Sequence, residues 1–240
     1  MPSTLPSHPA AVLGLKLWRP RRFDGVALTA GAASPDVAYL LDGSGLPVWP
    51  YSHEWIGLVG WCLPVSAVLV LVLRAAAPTV AAHLPAAGVL ALRDYGALGR
   101  VRHRWWVTVS SIVLGGASHL VLDDLTNLHD IVDVAVELTG MLTALLLAIH
   151  IGANRLIRRW HGPPPTVATR PMLFWGAAAF VAVPGTASVV VLPAALLVHT
   201  TGVRLITMVF LALLAGAAAV GLRSGGVSVE ALGGQGRMEP

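Results

Sequence analysis

The sequence predicts an all-α polytopic membrane protein, a helical bundle of about five transmembrane helices with short N-terminal helices packed on it. Three observations carry this. The 240 residues are 55% hydrophobic and only 12% charged, where soluble domains carry about 25% charged residues. Mean hydropathy is +0.73. The charges that do occur fall between long uncharged runs, mostly as Arg clusters, the pattern of loops between membrane spans. The single cysteine, Cys62, lies inside an apolar run and excludes an internal disulfide framework. No basic face is interleaved with aromatics, so no nucleic-acid partner is expected. The start, MPSTLPSHPA, lacks a basic region followed by an apolar core, so no cleavable signal is expected.

The elements follow in order. Residues 1–55 hold a short apolar helix near Ala10 to Trp18 and a second apolar stretch from Val26 to Leu41. Ile56 to Leu73 is uncharged and about 27 Å long as a helix, enough for a first span. Ala75 to Leu92 is apolar but interrupted by Pro78, His83 and Pro85, and reads as a short re-entrant or interfacial helix. Trp105 to Leu122 and Val134 to Ala153 are the second and third spans. The fourth runs from about Met172 to Leu192 with Pro184 inside it, and the fifth from Leu205 to Leu222. Residues 1–222 thus form one membrane-embedded domain, and the glycine-rich segment 223–240 a flexible tail. Trp49, Trp55, Trp105, Trp106, Trp160 and Trp175 cluster near span ends, as an aromatic belt does.

With five spans, most Arg residues fall on one face, which the positive-inside rule makes cytoplasmic. Lys16, Arg19, Arg21, Arg22 and Arg204 fall on the other. His53 and the end of the second span then face outward together, beside Asp123, Asp124, Asp130 and Asp133.

That outward end holds the chemistry. In GGASHLVLDDLTN, His119 and Asp123 stand four apart, on one face of a helix. Polar groups in a hydrocarbon setting need a partner, a wet cavity or a metal. Upstream, His8 sits in SHPAAVLGL, Asp36 in GAASPDVAYLL after a Ser-Pro turn, and His53 in YSHEWIGL at the mouth of the first span. Three His and two Asp are nitrogen and oxygen donors that suit zinc or a similar divalent ion. Such an ion, with an open position, lowers the pKa of a bound water toward neutrality. The same residues also read more plainly. His119 and Asp123 could be a hydrogen-bonded pair between helices, His8 a helix-entry residue, Asp36 a turn residue and His53 a solvated anchor. Asp133 and Glu137, again four apart, are further candidates for a ligand or base, and His199 sits at the outer end of the fourth span.

In this order and wording the four pieces resemble the bacterial membrane family catalogued as domain of unknown function 4184, over roughly residues 1–160. That family looks like a relative of membrane-bound metal-dependent hydrolases, which share His, Pro-Asp, His and His-x-x-x-Asp with the zinc-dependent phospholipase C group. The resemblance implies a metal site of His8, Asp36, His53, His119 and Asp123, with zinc the expected ion. Where such proteins often read Asp-x-x-Thr-His, this chain has Asn127, a poorer ligand than His.

The expected function is metal-dependent hydrolysis of a phosphoester-type bond, in a lipid or envelope substrate, at the outer face of a bacterial cell membrane. Asp124 or Glu137 is expected to accept the proton. The alternatives are a non-catalytic membrane protein whose polar network is structural or conducts ions or protons, and a degenerate hydrolase relative.

Overall fold

The structure, a computed structural model, describes residues 7–86, 88–126 and 130–234. Among them the secondary structure is helical, with no strand. Helices α1 (Ser7–Trp18) and α2 (Gly25–Ala33) form a hairpin. A 3-10 helix, Asp36–Leu41, leads to the short α3 (Val48–Ser52). A π-turn at Leu58–Cys62 opens into α4 (Leu63–His83). Two 3-10 pieces, Gly88–Leu90 and Leu92–Arg100, connect it to α5 (Trp105–Thr126) and α6 (Asp130–Ala153). After α7 (Leu156–His161) come α8 (Pro171–Val189) and α9 (Val198–Gly234).

Five helices are long and apolar enough to cross a membrane: Leu58–His83, Trp105–Leu125, Ala135–Ala153, Pro171–Val189 and Val198–Arg223. Each leaves large apolar side chains uncovered, among them Leu71, Val121, Leu145, Phe180 and Val209. A bilayer supplies the cover that water cannot. The chain is a multi-pass membrane protein by this architecture.

Three expectations need correction. The segment from Ala75 to Leu92 is not a separate re-entrant piece, because Ala75 to His83 continue α4. Pro78 removes one helical N–H but does not break the helix, as neighbouring structure can absorb the lost bond in a membrane. The 3-10 helix Leu92–Arg100 packs over it, and Gly99 lies so close that a Cβ there would stand 2.4 Å from Pro78 Cγ. His83 then ends the helix inside the protein, where both ring nitrogens find partners. Its Nδ1 meets the Thr79 carbonyl at 2.7 Å, and its Nε2 accepts from the Arg170 amide at 2.9 Å.

The fifth span begins at Val198 and not at Leu205. Arg204 does not stop it, because its guanidinium donates to the Pro193 carbonyl at 2.6 Å and the Asp42 carbonyl at 2.8 Å. Thr200 completes the contact by donating to the Asp42 carboxylate.

The third correction concerns the N-terminal basic residues. Lys16 does not share an end with His8. The hairpin carries it to the other end of the bundle, where its ammonium donates to the Pro20 and Phe23 carbonyls at 2.6 and 2.9 Å and lies 5.5 Å from the Trp160 ring. Asp24, which starts α2 and accepts from the Ala27 amide at 3.3 Å, is held there by Arg74 at 2.5 Å and Thr108 at 2.8 Å. The turn between α1 and α2 therefore joins the Arg-rich end.

The core that positions the site is the crossing of α2 and α5. A Cβ on Gly31 would stand 2.2 Å from the Ile112 carbonyl oxygen, and one on Gly115 2.3 Å from that of Leu28. Only glycine permits backbones this close, the small-residue packing typical of membrane helices.

Candidate metal centre

His119 is fully buried on α5, one turn beyond Gly115. The close crossing brings the Ala32 carbonyl at the end of α2 to 2.7 Å from His119 Nδ1. A carbonyl only accepts, so Nδ1 carries a proton, and in the neutral imidazole Nε2 presents a lone pair. Asp123 follows one turn later and points the same way, its Oδ2 3.3 Å from that Nε2.

Asp36 begins the 3-10 helix directly after α2. Ser34 Oγ donates back to the Gly31 carbonyl at 2.8 Å, and this turn aims the Asp36 carboxylate at the site. Its Oδ1 lies 3.5 Å from His119 Nε2 and 3.5 Å from His53 Nε2. His53, at the end of α3, is anchored through Nδ1 to Ser52 Oγ at 2.9 Å and the Trp49 carbonyl at 3.3 Å. Its Nε2 is 3.6 Å from Asp123 Oδ2. His8, near the start of α1, stacks on His119 with ring centres 3.8 Å apart and reaches Asp123 Oδ1 through Nε2 at 3.5 Å. Burial, with the neighbouring His119, lowers the His8 pKa to about 4, so its imidazole is neutral at pH 7.

The four His–Asp spacings among His53, His119, Asp36 and Asp123 run from 3.3 to 3.6 Å. These exceed a charge-assisted hydrogen bond of about 2.7–2.9 Å. They match the edge of a ligand cage: tetrahedral zinc with bonds of about 2.0–2.1 Å spaces its donors about 3.3–3.4 Å apart. His53 Nε2, His119 Nε2 and Asp36 Oδ2 are buried without a hydrogen-bond partner. Two donor groups, His8–Asp36–His119 and His53–His119–Asp123, each fall within 4.8 Å and share His119. The residues present fit a divalent cation.

Asp124 is exposed at the end of α5. Glu137 is half-buried on α6, one turn before Gly140, where a Cβ would stand 2.3 Å from that of Ser7. Asn127 lies outside the described residues. His199 packs on Tyr39, ring centres 4.7 Å apart, and Tyr39 in turn stands 5.5 Å from His53. Sequence reading did not find Tyr39, although its place three residues after Asp36 puts it near the same face of a 3-10 turn.

A family model described as Domain of unknown function (DUF4184) matches residues 1–158, the part of the chain that carries all five clustered residues. No curated protein matches the chain. No solved structure matches it either.

Proposed function

Because the chain belongs to the DUF4184 family, whose description assigns no activity, we propose from the site itself that it is a membrane-embedded, metal-dependent hydrolase. The observation that carries the reading is the set of 3.3–3.6 Å His–Asp spacings around buried, unpartnered nitrogens. His8, Asp36, His53, His119 and Asp123 would hold the ion, with zinc the natural choice for mixed imidazole and carboxylate donors. Such an ion supplies Lewis acidity to an ester oxygen and makes a water acidic enough to attack near neutral pH.

The chain's own groups do the rest. The Ala32 carbonyl and the Ser52 hydroxyl fix the His119 and His53 rings, so their lone pairs converge without reorganisation. Asp124 or Glu137 accepts the proton released by the attacking water. Phosphoesters are the favoured substrate class, since their anionic oxygens suit a divalent cation, and the site's place at one end of the spans favours a lipid or envelope molecule. The opposite end carries Lys16, Arg74, Arg155 and Arg170, a bias that favours the outer face for the site under the positive-inside rule.

The test is hydrolysis of a chromogenic phosphodiester and of a lipid phosphodiester by the detergent-solubilised protein. Activity should vanish on chelation, return with zinc, and fall at least tenfold in Glu137→Gln or in Asp124→Asn, whichever is the base. Metal-loaded protein inert toward both esters would leave a bound metal without hydrolysis and refute the enzymatic reading.

A further inference from the structure

At the end opposite the His–Asp cage lies a second feature, independent of that reading. A half-open cavity of about 420 Å³ runs between α1, α4 and α9, with Leu13, Ala77, Val80, Phe210 and Leu214 on its walls. The volume falls within the range of small-molecule sites, about 300–1,000 Å³. Its lining is almost wholly apolar, yet Lys16, Asp24, His103 and His161 also border it.

The charges there do not balance. Asp24 is already committed to Arg74 and Thr108. Lys16 is buried, its ammonium donating to two neutral carbonyls and lying against the face of Trp160, with a charge attraction to Asp24 that it shares with Arg74. His103 Nε2 is buried with no hydrogen-bond partner. Two cations, Lys16 and Arg74, share the one carboxylate of Asp24 beside an orphaned imidazole nitrogen at the end of a hydrocarbon slot, an excess of positive charge that a further anion would balance. Burial also lowers the pKa of Lys16, and with Lys16 and His103 nearby it brings His161 to about 4, the direction a nearby anion would reverse.

We propose that this cavity binds a single-chain anionic amphiphile, its acyl chain between α4 and α9 and its compact carboxylate or phosphate monoester head against Lys16 and His103. Charge complementarity selects the head, and the apolar walls select the chain. A neutral ester would leave the Lys16 ammonium as poorly matched as before.

Trp160 beside Lys16 gives the readout. Full-length protein in neutral detergent is titrated with 9,10-dibromostearate, its methyl ester, and hexadecyl phosphate as a competitor, following tryptophan fluorescence. The acid should quench saturably, at least tenfold more tightly than the ester. Hexadecyl phosphate should displace it, and the order of the two anions identifies the preferred head. Ala77→Phe, which narrows the slot without touching a charge, should weaken binding tenfold or more, as should Lys16→Met. Quenching that never saturates, or that is equal for acid and ester, overturns the proposal on wild-type protein alone, whatever the variants' folding. So does an Ala77→Phe variant that binds the acid as wild type does.

Discussion

His119 is gripped from both sides. A backbone carbonyl of α2 takes its Nδ1 proton at 2.7 Å, and two carboxylates face its Nε2 at 3.3 and 3.5 Å. Half of this was legible in the sequence: a His and an Asp four apart on an apolar helix have to face the same way. The other half was not, because a carbonyl oxygen belongs to every residue, and nothing in the word AGAAS marks Ala32 as the one that fixes the ring. Asp36, His53 and His8 were recognisable as ordered motif residues, but their convergence depends on turns whose angles sequence does not state. A residue-scale expectation lies at the other end. Arg74→Met leaves Asp24, 1% exposed, without its cation, and breaking a buried pair from one side costs about 3–5 kcal/mol. Asp24→Asn on top of it should recover part of that loss, since the neutral amide still accepts from the Ala27 N–H through its one oxygen, and its NH2 can donate to the Thr108 hydroxyl. Thermal denaturation of the detergent-solubilised variants checks both. A double variant no more stable than Arg74→Met alone would mean that Asp24 is not the group left stranded.

Among the elements, the spans were the easiest to read and their ends the hardest. Long uncharged runs fix where a helix must cross, whereas Pro78 and Arg204 look like interruptions until their surroundings are known. Packed glycine covers the first, and two carbonyls accept from the second. The N-terminal hairpin was misread for a related reason. Lys16, Arg19, Arg21 and Arg22 mark a loop, but composition does not say at which end of the bundle the loop lies. The α2–α5 crossing offers the sharpest test of an element. Gly115→Val would drive a side chain into the Leu28 carbonyl, 2.3 Å from the new Cβ, and push the Ala32 carbonyl off His119. Metal content should fall even though all five proposed ligands remain, and the melting temperature should drop. Gly14→Ala, with nothing within 4 Å of its Cβ, should leave metal content unchanged. Full metal occupancy in Gly115→Val would show that the close crossing does not build the site.

For the whole molecule, the two ends of the bundle differ in chemistry. One gathers His and Asp around a tight cage, and the other gathers Lys and Arg around an apolar cavity. On the orientation proposed from the positive-inside rule, a tag in the 162–169 loop should be protected in intact cells while one near Asp130 is labelled from outside. Labelling at Asp130 only after permeabilisation would invert the orientation and exclude envelope substrates, though not the metal chemistry. The central claim, that the five residues form a metal site, is tested most directly by metal analysis and X-ray absorption on gently purified protein. The expected result is close to one zinc or similar ion per chain, with a first shell of nitrogen and oxygen at about 2.0–2.1 Å and no sulfur. In a His119→Ala, Asp123→Ala double variant the metal should be lost, since even one supporting contact is worth about 10–100-fold in affinity. A wild-type protein that carries no stoichiometric metal and takes up none when zinc is offered, or a double variant that keeps it, would contradict the assignment.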